Sequence, residues 1–211
     1  MSGSPPGAFM SSPSDGPEAS AITRAPGRDG GHLGPVVVSA EGLAAKVAEL
    51  GARITADYSG LATDRPLVLV GVLKGAFVFL SDLARHLDLP IEIEFMAVSS
   101  YGSATRTSGV VRIVKDLDTD LHGRHVLLVE DIIDSGLTLR YLRKNLAVRQ
   151  PASLEVCALL VRSGQQRDDL SLRYEGFRIP GDFVVGYGLD LDEEYRNLPD
   201  VRTYLGPVPQ G

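Results

Sequence analysis

The chain has 211 residues, 44% apolar and 23% charged, which suits one folded domain and excludes a disordered or fibrous protein. Its 27 acidic and 21 basic side chains give a net charge of -6, which argues against a general nucleic-acid-binding surface. The single cysteine excludes an intramolecular disulfide, and no apolar run approaches a membrane span or a signal core, so a cytoplasmic protein is expected.

Residues 1–34 read as a tail, because "MSGSPPGAFMSSPSDGPEAS" is Pro, Gly and Ser with little to bury. Residues 35–211 read as one domain. Ser39 is a candidate N-cap for a helix whose apolar face is Leu43, Val47, Leu50 and Ile54. A nearly all-apolar strand follows over 67–72, the pattern of a parallel strand covered on both faces. A turn at Lys74-Gly75 leads into a helix carrying Phe77, Leu80, Leu83 and Leu87. "LPIEIEFMAVSSYG" is a second strand and "HVLLVED" a third. "TLRYLRKNLAVR" is a helix with Leu139, Leu142 and Leu146 on one face. "LEVCALLVR" is a fourth strand, with Cys157 as a small buried apolar residue, and "DFVVGYGLD" a fifth. Strands alternating with helices at this spacing predict an α/β fold with an open, mostly parallel twisted sheet.

The third strand ends in carboxylates. In open α/β sheets, ligands bind beyond the carboxyl ends of the strands. Glu130, Asp131 and Asp134 all belong there. Gly136 permits a tight turn with positive φ, and Thr138 then opens a helix. The free N–H groups of that helix start, with the Ser135 and Thr138 hydroxyls, suit a phosphate. The acids suit ribose hydroxyls or a divalent metal. The stretch reads as a grip for a ribose 5-phosphate. Two other readings stay open on these residues alone. Asp134 or Ser135 would serve as an ordinary helix cap. "VLLVED" also resembles the acidic strand end of a receiver domain, although a complete strand-helix-strand unit precedes it.

"VLLVEDIIDSGLTL" resembles the phosphoribosyl-pyrophosphate (PRPP) motif of the type I phosphoribosyltransferases. "GVLKGAFVFLSDLAR", "FMAVSSYG", "GVVRIVKDLDTDLHGRHVLLVED" and "FVVGYGLDLDEEYRNLP" are similar to blocks of the hypoxanthine-guanine members, in the same order. The resemblance implies the type I fold with a small hood and a mobile loop, and transfer of a phosphoribosyl group from PRPP to hypoxanthine or guanine with release of pyrophosphate.

It also implies roles. Glu130 and Asp131 engage the ribose hydroxyls and magnesium. Asp134 is the general base or acid near purine N7. Ser135, Gly136, Leu137, Thr138 and Leu139 form the 5′-phosphate loop. Leu73, Lys74 and Gly75 form the pyrophosphate loop, with a cis Leu73–Lys74 bond. Arg196 reaches the pyrophosphate and Asp190 a second magnesium. Ser100 and Tyr101 belong to the closing loop. Phe183 stacks on the purine, and the backbone of Val184 meets the group at C2. Arg162 stands where the family usually has the lysine that reads O6, and an arginine fork is not interchangeable with an ammonium. A homo-oligomer, dimer or tetramer, is implied. The alternatives are a xanthine- or guanine-preferring relative, or an RNA-binding nucleotide sensor on the same fold. A basic face would favour the latter.

Overall fold

The computed structural model describes residues 31–62, 64–101, 110–163 and 172–206. Its main sheet has six strands. They are β2 (Leu67–Leu73), β3 (Ile91–Tyr101), β4 (Val110–Lys115), β5 (His125–Ile133), β6 (Ser153–Arg162) and β7 (Tyr174–Ile179). Their order is β4-β3-β2-β5-β6-β7. Every pair is parallel except β3 with β4. The order reverses between β2 and β5: from β2 the chain steps outward to β3, whereas β5 steps the other way to β6. That reversal opens a crevice at the carboxyl ends of β2 and β5, the position where such sheets bind ligands.

Helices α1 (Ala40–Tyr58) and α2 (Phe77–Ala84) cover one face, and α3 (Leu137–Ala147) the other. Helix α1 starts as its sequence predicts, with Ser39 Oγ accepting from Gly42 N at 3.1 Å. Its predicted apolar stripe is buried. Both faces of β2 and β5 are buried, which is why those strands are apolar without alternation. Leu69, Leu127 and Val129 belong to the core under α1 and α2. Val68, Val70, Val126 and Leu128 belong to the core under α3.

Four expectations change. Strand β1 (His32–Val38) begins inside the segment read as tail, and pairs antiparallel with β9 (Val201–Leu205). "DFVVGYGLD" is not the fifth strand of the main sheet. Only β8 (Val184–Val185) is extended there, and it joins β9 and β1 in a separate three-stranded sheet. Positive φ at Gly186, Tyr187 and Gly188 (102°, 51° and 100°) ends the strand at once. The strand beyond β6 is β7 instead. In α2, Phe79, Leu80 and Leu83 face the core, Phe77 is exposed, and Leu87 packs from beyond the helix end. Helix α3 opens at Leu137, one residue before Thr138.

Candidate active site

The crevice is built from three chain segments. The first is the end of β2, where the Leu73–Lys74 peptide is cis. The second is the end of β5 and the turn into α3. The third runs from β8 to Arg196.

Close approaches of glycines lock the three together. A Cβ on Gly75 would lie 1.7 Å from Asp131 Oδ2, so only glycine lets the first segment touch the second. A Cβ on Gly188 would lie 2.2 Å from the Gly75 carbonyl oxygen, which ties the third segment to the first. Sequence reasoning missed Gly188. A glycine interrupting an apolar run was the available signal.

On β5, Glu130 is buried, and Asp131 is partly so. Burial, with repulsion from the Asp131 carboxylate, pushes the Glu130 carboxyl well above its usual range. Burial also raises Asp131, to about 6, against backbone hydrogen bonds and the Arg196 charge that lower it. Two adjacent carboxyls so disfavoured as anions are poised to gain from a cation or from hydroxyl donors. No cluster of three or more His, Cys, Asp or Glu side chains forms a ready metal cage among the described residues. Hard oxygen donors from one or two carboxylates, completed by substrate phosphate oxygens, are nevertheless the usual ligands of magnesium. The pair therefore fits a magnesium ion whose remaining ligands come from the substrate.

Beyond the acids, Gly136 caps α3 in the left-handed region at φ 74°, and no side chain caps the helix. Ser135 Oγ accepts only a long bond of 3.4 Å from Leu137 N. The capping alternative for Asp134 thus has no support in the geometry. Glu130 and residues 132–139 line a cavity of about 190 Å³ at this helix start. The side chain of Leu139 is in the core, so only its backbone N–H is offered to the cavity, whereas Leu137 is exposed.

Asp134 is more than half exposed and faces Arg162, with 3.7 Å between its Oδ1 and Arg162 Nε. Arg162 ends β6. Its NH1 group donates to the carbonyls of Gly181 at 2.7 Å and Asp182 at 2.6 Å. The arginine therefore joins Asp134 to the segment just before Phe183. Its Nε–H is buried and makes no hydrogen bond. Phe183 is half-buried against Tyr204, edge to face with centroids 6.4 Å apart. Val184 is buried and paired with Thr203.

Lys74 and Arg196 both meet Glu193. Lys74 Nζ lies 2.9 Å from Glu193 Oε1. Arg196 contacts Asp190 at 3.0 Å and Glu193 at 3.2 Å, and donates to the Gly188 carbonyl at 2.8 Å. No local spacing in the sequence marks Glu193, and sequence reasoning missed it. Ser100 and Tyr101 have backbones at the end of β3, paired with Val111 and Val110. The rest of the closing-loop segment, residues 102–109, lies outside the described residues.

A mostly parallel sheet with two adjacent acids and a helix start beside a cavity at its switch point is the class of site that suits a phosphorylated ligand. The phosphoribosyl transferase domain family model matches residues 39–193, and the chain belongs to that family. It is 54% identical over 175 residues to the hypoxanthine-guanine phosphoribosyltransferase of Mycobacterium bovis, covering 82% of this chain and 87% of the relative. It is 48% identical to the Bacillus subtilis enzyme of the same name, over 81% and 91% of the two chains. The crystal structure of a Bacillus anthracis hypoxanthine-guanine phosphoribosyltransferase, 42% identical, superposes with a TM-score of 0.76 over 82% of this chain and 99% of that one. A Trypanosoma cruzi hypoxanthine phosphoribosyltransferase in complex with the product IMP, 41% identical, gives 0.76 over 83% and 95%.

Proposed function

We propose that this protein is a purine-salvage transferase that moves the 5-phosphoribosyl group of PRPP onto hypoxanthine or guanine, giving IMP or GMP and pyrophosphate. The observation that carries the reading is the convergence, at one switch-point crevice, of the Glu130-Asp131 pair, the helix start at Gly136 and the Lys74-Arg196 cations. Its support from relatives is their shared activity at 44–54% identity over most of the chain.

In this reading the 5′-phosphate sits at the start of α3, against backbone N–H groups and the Ser135 and Thr138 hydroxyls. Glu130 and Asp131 accept from the ribose hydroxyls. Purine N9 attacks C1′, the C1′–O bond breaks, and both of its electrons leave with pyrophosphate. Lys74 and Arg196 stabilise the charge on the leaving oxygens. Glu130, Asp131 and Asp190 would hold magnesium together with substrate oxygens, and the ion would add charge neutralisation there. Asp134, exposed toward the crevice, handles the purine proton at N7. Closure of the segment after Ser100 and Tyr101 excludes water.

The base is read by Phe183, the Val184 backbone and Arg162. Arg162 ends β6 beside the segment that precedes Phe183, and a guanidinium N–H turned to the purine is a donor that a 6-oxo group satisfies and a 6-amino group does not. This favours a 6-oxopurine substrate over adenine. The net charge of -6 disfavours the RNA-binding alternative. A homo-oligomer, dimer or tetramer, and a cytoplasmic setting belong to the same proposal; no described helix is long and apolar enough to cross a membrane. Turnover with PRPP, magnesium and a panel of bases tests it, together with loss of activity in excess EDTA.

A further inference from the structure

Glu193 occupies an unusual place. One oxygen of its carboxylate, Oε1, takes the Lys74 ammonium at 2.9 Å. The other, Oε2, takes the Arg196 guanidinium at 3.2 Å from NH2 and 3.4 Å from Nε. A single anion thus bridges two cations that lie 122 positions apart in the chain (196 − 74). Asp190 fixes the arrangement from behind. Its Oδ2 accepts from the Glu193 backbone N–H at 2.9 Å, and its Oδ1 meets Arg196 at 3.0 Å.

The backbone is bent to make this possible. Leu191 and Glu194 exchange hydrogen bonds of 3.3 and 2.9 Å around a two-residue turn. Both central residues are left-handed, Asp192 at φ 48° and Glu193 at φ 67°. Turns of this kind favour Asn-Gly or Asp-Gly. Asp192 suits the first position, but a glutamate at the second lacks glycine's freedom. Glu193 is also mostly exposed, so packing does not explain its presence.

We propose that Glu193 is a built-in competitor for the pyrophosphate cradle: its carboxylate neutralises Lys74 and Arg196 in the unliganded protein and is displaced when the pyrophosphate group of PRPP, or free pyrophosphate, binds. The proposal rests on reading Lys74 and Arg196 as the pyrophosphate cations. Its consequence is weaker retention of both PRPP and product pyrophosphate, which favours release after turnover. Exposed ion pairs are individually weak, so the competition is modest, about three- to tenfold for the two contacts together.

The test measures inhibition by magnesium pyrophosphate and KM for PRPP and hypoxanthine in the full chain. Glu193→Gln keeps the size and removes the charge. Glu193→Gly also relieves the left-handed backbone. Both variants should bind pyrophosphate and PRPP about three- to tenfold more tightly, with the hypoxanthine KM unchanged. Asp192→Asn removes the same charge one residue away and tolerates positive φ; it should shift pyrophosphate by less than about twofold. Unchanged or weaker pyrophosphate binding in both Glu193 variants overturns the proposal, and so does an equal effect in Asp192→Asn. Lys74→Met separates the two levels. It should weaken pyrophosphate binding; if it does not, the cradle itself is misassigned, whereas weakening there without tightening at Glu193 removes only the competitor.

Discussion

Replacing Arg162 by methionine should loosen the base-binding segment while leaving the phosphate side intact. The side chain is 11% exposed and donates two hydrogen bonds from one guanidinium nitrogen to the Gly181 and Asp182 carbonyls. Charged hydrogen bonds contribute about 1.5–3 kcal/mol each. Gly181 and Asp182 are themselves exposed, so water can take over their carbonyls, and the net cost should be nearer about 1–3 kcal/mol for both. For a domain of this size that lowers Tm by about 2–12 °C. The larger effect falls on the base, because the clamped carbonyls immediately precede Phe183 and Val184. Loss of that clamp and of the guanidinium donor should reduce kcat/KM for hypoxanthine about ten- to hundredfold and erase the preference over adenine. The PRPP KM should change little. Arg162→Lys keeps a cation that can reach a carbonyl or O6, and should keep the preference with a smaller loss of rate. The assay is kcat/KM for hypoxanthine, guanine and adenine on both variants, with Tm measured alongside. An unaltered base profile and Tm in Arg162→Met would refute the reasoning, since the arginine would then be neither clamp nor reader.

Asp134→Asn should lower kcat about 10²–10⁴-fold with little change in PRPP affinity. The helix cap is Gly136, so a stability loss is not expected, and near-normal turnover would remove Asp134 from the chemistry. The acid pair gives a pH dependence. The free Asp131 carboxyl is raised to about 6, and binding that rewards its anion must lower it, so PRPP affinity should climb from about pH 5 to 7 and level off above. Asp131→Asn in the same buffers accounts for ionisation of PRPP itself, and parallel profiles for the two proteins would contradict the assignment. Deleting residues 1–30 should leave kcat/KM within about twofold, because the tail has little apolar surface to contribute. Deleting through residue 38 removes β1, whose Leu33 pairs with the Tyr204 that supports Phe183, and should raise the KM for the base; equal activity of the two truncations would show that β1 is dispensable.

The proposed phosphate side of the site is legible in the sequence because it is local. Glu130 to Leu139 are ten consecutive residues whose order carries strand end, turn and helix start. The base side is not. Arg162 and Phe183 come together only through the carbonyls of residues 181 and 182, and Lys74 meets Glu193 across most of the chain. No periodicity records such contacts. Buried parallel strands such as β2 and β5 announce themselves as apolar runs, whereas β7 has only a half-buried pattern and passes as loop. The stretch from Phe183 to Asp190 misleads in the opposite sense. Its apolar residues read as a strand, but two glycines and Tyr187 with positive φ turn them into a folded loop that brings Asp190 and Arg196 to the crevice. Family resemblance supplied those roles; residue patterns alone did not.

The account's central claim is that one crevice joins PRPP to a 6-oxopurine. Incubating the full chain with PRPP, magnesium chloride and hypoxanthine, guanine, xanthine or adenine, and quantifying nucleotide and pyrophosphate, tests it most directly. The account predicts equimolar pyrophosphate with IMP or GMP, strong discrimination against adenine, and no turnover in excess EDTA until magnesium is restored. Absence of nucleotide from hypoxanthine and guanine, or a preference for adenine, would contradict it.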